Sequence, residues 1–162
     1  MKAWKELEKE VARRLDGSRV IREDWGKRDC DIRHVVWSIE CKFRADFGAW
    51  YNVELERMRE LDHCIALDRS PSDFVVEALE QAHSYAPTKP ALAVVKKKNM
   101  VYDDALVFMR LVDFPVDQVK HVKLINIPKN MLAFTGLKEF TQYWQKEKHR
   151  FLPAPVNYEG DG

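Results

Sequence analysis

Residues 29–43 read DCDIRHVVWSIECKF, and their alternation poses the question on which the fold turns. On a β-strand successive side chains point to opposite faces. Ile39, Cys41 and Phe43 therefore share one side, and Glu40 and Lys42 share the other. The apolar side asks for a core. The other side carries a carboxylate and an ammonium in step, with Asp29 and Asp31 just upstream, and asks for a charged partner.

Working outward, Trp4, Leu7, Val11, Ala12 and Leu15 recur at helical spacing, which predicts a helix over 2–15 that stops at Asp16-Gly17. Short strands are expected over 19–22, 30–35 and 36–43, with a turn at Gly26 and a break over 45–48. Helices should cover 51–64 and run from the SPSD cap signal at Ser70 to just before Pro87. ALAVVKK and ALVFMRL read as strands around a polar turn at 99–104, and HVKLINI reads as a third. Residues 137–148 have the pattern of an amphipathic helix. Alternating strands and helices define an α/β class. The expected organisation is one domain over 1–150 followed by a loose tail over 151–162.

Composition bounds the function. With 162 residues, 46% hydrophobic and 33% charged, the chain can bury one core and is short for two. The net charge of +1 conceals an asymmetry: 54–80 is acidic, while Arg13, Arg14, Lys27, Arg28, Arg33, Lys96 to Lys98 and much of the last third are basic. Cys30, Cys41 and Cys64 lack CxxC spacing, which argues against a disulfide framework and a standard zinc site and for a reducing compartment. His34, His63 and Cys64 match no zinc pattern either. The opening MKAWKELEKE is charged, and no stretch approaches the length that crosses a bilayer, so a soluble, cytoplasmic protein is expected.

Glu8 is the anomaly of the first helix. At ~100° per residue, with Leu7 at zero, Val11 falls near ~40°, Trp4 near ~60°, Leu15 near ~80° and Ala12 near ~140°. Glu8 falls near ~100°, inside the apolar arc, where a carboxylate is costly unless it is paired or meets a cation. Glu8, Asp31, Glu40 and Lys42 can thus converge, with Asp29 competing for the place of Asp31. Such hard oxygen donors suit Mg²⁺, with Mn²⁺ as a substitute. A metal beside a lysine suits hydrolysis of a phosphodiester. The bland alternatives are an ion-paired solvated face on the 36–43 strand, and Glu8 as an acid paired with Arg22 or Lys42.

At these residues the chain resembles a family. Asp31, followed nine residues later by Glu40-Cys41-Lys42, is similar to the PD-(D/E)xK motif of nucleases. ELEKEVARRLDGSRVIRE resembles the first helix and strand of the archaeal-type or phage-encoded Holliday junction resolvases of that superfamily, and the likeness runs to about residue 114. The motif proline is absent, because Cys30 stands there, and bulky Trp25 precedes Gly26. The resemblance implies a restriction-endonuclease-like α/β fold, a mixed central sheet flanked by helices. It implies Glu8, Asp31, Glu40 and Lys42 as catalytic residues. It also implies metal ligation by Asp31, Glu40 and the Cys41 backbone carbonyl, with Glu8 as a further ligand. Gln81 and Tyr85 carry the QxxxY spacing found in some relatives. With Arg13, Lys27, Arg28, Arg33 and Arg44 they form the expected DNA-binding set, although helix-face packing and polar contacts are the better explanation of Gln81 and Tyr85.

The expected activity is Mg²⁺-dependent cutting of branched DNA by a homodimer, in the host cytoplasm if the chain is phage-encoded. The dimer surface could come from exposed apolar residues such as Phe108 or Phe114 on the later strands, or Trp144 on the last helix, among which the sequence does not choose. The alternatives are another nuclease of the superfamily, for repair, restriction-like cutting or exonucleolytic work, and a non-catalytic DNA-binding dimer.

Overall fold

The computed structural model describes residues 2–21, 29–45, 65–66, 73–127 and 130–153. The expected helix over 51–64, the cap at Ser70, the side chains of Lys27, Arg28, His63 and Cys64, and most of the expected tail lie outside them.

Helix α1 spans Ala3–Leu15, as its apolar spacing predicts. It ends where Asp16 takes a left-handed conformation (φ 57°, ψ 37°) and the Gly17 N–H reaches back to Ala12 O at 2.9 Å. Gly17 is required by proximity, since a Cβ there would lie 2.5 Å from Ile32 Cγ2. The left-handed Asp16 is held in place by α3 (Leu137–Glu147), whose Trp144 Nε1 donates to Asp16 Oδ2 at 2.8 Å.

Strands β1 (Ser18–Arg19), β2 (Ile32–Arg33) and β3 (Ser38–Arg44) follow, the first two shorter than expected. β2 stops early because the Val36 N–H donates to His34 Nδ1 at 3.0 Å and is lost to any ladder. After β4 (Ile65–Ala66) come α2 (Asp73–Tyr85), β5 (Ala91–Lys97), β6 (Leu106–Arg110), β7 (Lys123–Ile127) and β8 (Asn130–Gly136). The described strands form one mixed sheet of eight in the order β1-β2-β3-β5-β6-β8-β7-β4. β3 and β5 are parallel from Ser38↔Ala91 to Arg44↔Lys97, β4 is parallel to β7, and the other pairs are antiparallel. The molecule is therefore an α/β protein.

Both faces of the sheet are covered. On one, Leu7, Val11 and Leu15 of α1 and Phe140 and Trp144 of α3 pack on Ile39, Leu92, Val94 and Met109. On the other, Val75, Ala78 and Ala82 of α2 pack on Ala93, Val95, Phe108 and Phe134. β5 reads as an uninterrupted apolar run because it feeds both cores alternately.

Several expectations are overturned here. Phe108 (0% exposed), Phe114 (5%) and Trp144 (0%) are core residues and present no surface to a second copy. Phe108 stacks on Phe134 with centroids 4.9 Å apart, and Trp144 packs edge-on against His34 and Trp37. Lys96, grouped above with the basic residues, does not lie open to solvent. It is buried, its ammonium 5.2 Å from the Phe43 ring centroid and 5.1 Å from that of Tyr102, and burial lowers its pKa. Trp4, placed by helical spacing in the apolar arc, is 45% exposed.

Candidate active site

The register of β2 on β3 pairs Ile32 with Ile39 and Arg33 with Ser38, so one step further Asp31 stands opposite Glu40. Two carboxylates directly across an antiparallel pair repel. The backbone ties them nonetheless: the Asp31 N–H donates to Glu40 Oε1 at 3.2 Å, and the Cys41 N–H donates to Asp31 Oδ2 at 2.9 Å. Glu40 is buried. Desolvation, followed by the charge and hydrogen bonding of Asp31, raises its pKa from 4.5 to about 8, against an opposing pull from Lys42.

Glu8 joins them from α1. It is 5% exposed, as its position inside the apolar arc implies, and its Oε1 lies 3.3 Å from Arg19 Nε. The cation beside it is thus Arg19 of β1. The Cys41 thiol registers all three acids: burial pushes its pKa well up, and Asp31, Glu8 and Glu40 add to the rise in that order. Cys41 itself belongs to the apolar core, on the side its alternation dictates.

Lys42 points to the α2 side of β3 and donates from Nζ to Gln81 Oε1 at 2.9 Å. Ser38, on the same side of the strand, donates to Ala82 O at 2.6 Å, so α2 is pinned along the charged face of β3. Gln81 therefore holds the lysine. The sequence signalled this contact only through the QxxxY spacing.

These residues line one cleft of about 810 Å³, together with Trp4, Lys5, Arg19, Val20, Ile21, Phe43, Arg44 and Tyr85. Of the described DNA-binding candidates, Arg44, Gln81 and Tyr85 are brought to the cleft. Arg13 and Arg33 do not line it, being held in ion pairs by Glu10 and Asp29. Asp29 also accepts from the Cys30 N–H at 2.8 Å and does not line the cleft, so Asp31 has no rival there among the described residues. His34 is structural. Its Nε2 donates to Leu15 O at 2.7 Å, its ring stacks on Trp37, and burial lowers its pKa to about 4.

Among the described residues no three His, Cys, Asp or Glu side chains form a ready-made metal cluster. The donor set on offer is narrower: the Asp31 and Glu40 carboxylates, which face each other across the antiparallel pair. It fits a cation that keeps most of its waters, as Mg²⁺ does, and does not fit one that needs a closed protein cage. Burial first, and the neighbouring Asp31 second, raise the Glu40 pKa, and a divalent cation bound there would oppose both. Among the described residues no helix is long and apolar enough to cross a membrane. Comparisons with protein-family models, curated proteins and solved structures return no match for this chain.

Proposed function

We propose that the protein is a metal-dependent nuclease of the PD-(D/E)xK kind with a restriction-endonuclease-like fold, acting on branched DNA in the manner of a Holliday junction resolvase. The observation that carries this reading is the juxtaposition of Asp31 with a Glu40 whose pKa is raised to about 8, beside Lys42, in an open cleft. A purely structural ion-pair face would match its charges. Here Asp31 and Glu40 face each other instead, and a divalent cation between them would let a phosphate approach.

Asp31, Glu40 and the Cys41 carbonyl would hold Mg²⁺ or Mn²⁺, which supplies charge stabilisation at the phosphate and a more acidic water when bound. Lys42, oriented by Gln81, donates hydrogen bonds to a water or phosphate oxygen and offsets the charge that develops there. Glu8 keeps Arg19 at the cleft wall, a cation able to meet a neighbouring phosphate. The order of helix, antiparallel strands, crossover helix and parallel strand supports the fold reading. Two opposed nicks at a junction need two such clefts, so the working form is proposed to be a homodimer.

The test is incubation with a synthetic four-way junction and with its matched linear duplex, with and without Mg²⁺. Metal-dependent junction cutting that disappears in Asp31→Asn, with DNA binding kept, is the expected result. Equal cutting of linear duplex would remove the resolvase and keep the nuclease. Cutting by Asp31→Asn would remove both.

A further inference from the structure

Trp4 stands one helical turn before Glu8 on α1, and both line the cleft. Leu7 and Val11, its neighbours by spacing, are fully buried, whereas the indole is 45% exposed. Leaving so large an apolar ring in water forgoes the stabilisation that burial would bring. The Lys5 ammonium lies 5.3 Å from the ring centroid. Val20 and Ile21 line the same cleft, and Ile21 is 70% exposed. The cleft therefore has an apolar shelf with an aromatic ring and a cation.

Basic groups gather at the ends of β3 and β5. Arg44 lines the cleft, Lys97 is its partner in the parallel register, and the Lys98 N–H donates to Arg44 O at 2.9 Å. Such a strand end suits a run of phosphates. A fully paired duplex would use it but keeps its base faces stacked and has nothing to offer an indole. A nucleotide out of the stack offers both a phosphate and an open π-face.

We propose that Trp4 is a stacking platform for an unpaired base of the DNA strand whose phosphate occupies the Asp31 and Glu40 site. This rests on the nuclease reading and narrows it. The preferred substrate carries an unstacked nucleotide next to the scissile bond, as branch points, bubbles and flaps do. Lys5 then serves the phosphate of the stacked nucleotide, and the shelf at Val20 and Ile21 keeps water from its sugar.

The experiment uses the full chain carrying Asp31→Asn to prevent cleavage, in buffer containing Mg²⁺, with a fluorescent duplex and the same duplex containing a bubble of unpaired thymidines. Trp4→Ala is expected to weaken bubble binding roughly ten- to hundredfold and duplex binding by no more than about twofold. Trp4→Phe, which keeps a ring, is expected to retain most of the bubble affinity. An equal loss on both DNAs, or no loss on either, overturns the platform. If the protein with native Trp4 binds neither DNA, the nuclease reading falls and takes the platform with it. If the wild-type chain cuts DNA and Trp4→Ala keeps the bubble preference, the platform alone falls.

Discussion

Glu40 should make the protein less stable as pH rises, and the effect can be sized. Its pKa is about 8 in the fold against an ordinary 4.5, so between those values the folded state binds a proton that the unfolded state has released. Stability is then present in full below about 4.5 and is lost as pH climbs through about 8. At ~1.36 kcal/mol per pH unit the interval corresponds to an upper value of about 5 kcal/mol. Water penetration relieves part of this, and about 2–3 kcal/mol is the expected loss. Glu40→Gln cannot ionise and should be the more stable protein at alkaline pH by that amount. The assay is urea unfolding followed by circular dichroism at a series of pH values with a chelator present. The variant midpoint should exceed that of the wild type by about 1–2 M at the alkaline end and converge with it at the acid end. Added Mg²⁺ should restore the wild type at alkaline pH and leave the variant nearly unmoved. Parallel pH profiles for the two proteins would refute the claim that Asp31 and Glu40 share an uncompensated site.

Lys42→Ala should lower kcat on junction DNA by about 10²–10⁴-fold, and Gln81→Ala, which removes one hydrogen bond from the ammonium, by about two- to tenfold. The double variant should be no worse than Lys42→Ala alone; additive losses would mean Gln81 acts elsewhere. His34, with a pKa lowered by burial from 6.5 to about 4, binds its proton more readily once unfolded, so stability should fall as pH drops through that interval. Urea unfolding of His34→Gln, which keeps polar atoms and cannot titrate there, should lack that acid slope; an unchanged slope removes His34 as its source. Trp144→Ala should cost about 3–5 kcal/mol, through the cavity left among His34, Trp37 and Phe140 and the loss of the hydrogen bond to Asp16. A thermal midpoint close to that of the wild type would show that α3 is not anchored there.

The elements with strong local periodicity were legible from the chain alone. α1 and α3 fall where the 3.6-residue pattern puts them, and the apolar run of β5 falls where an uninterrupted hydrophobic stretch puts it. The alternation in β3 also foretold which side Cys41 and Ile39 would take, and the angle of Glu8 foretold its burial. These are properties of a residue and its near neighbours on one element, so local geometry suffices to determine them. Which element meets which is a different kind of quantity. β8 inserts between β6 and β7, and its short mixed stretch NMLAFTG was not anticipated as a strand. Helical spacing could not tell that Trp4, near the start of α1, would open onto the cleft while Leu7 was covered. Phe108 and Trp144 looked available to a partner only while their sheet faces had no occupant; α2 covers the first, and α1 with the His34 and Trp37 cluster encloses the second. The partners of the site residues, Arg19 for Glu8 and Gln81 for Lys42, lie 11 and 39 residues away in the chain. Only the packing of α1 on β1 and of α2 on β3 brings them within hydrogen-bonding reach, because contact across such separations is set by where whole elements dock and not by the local periodicity of either.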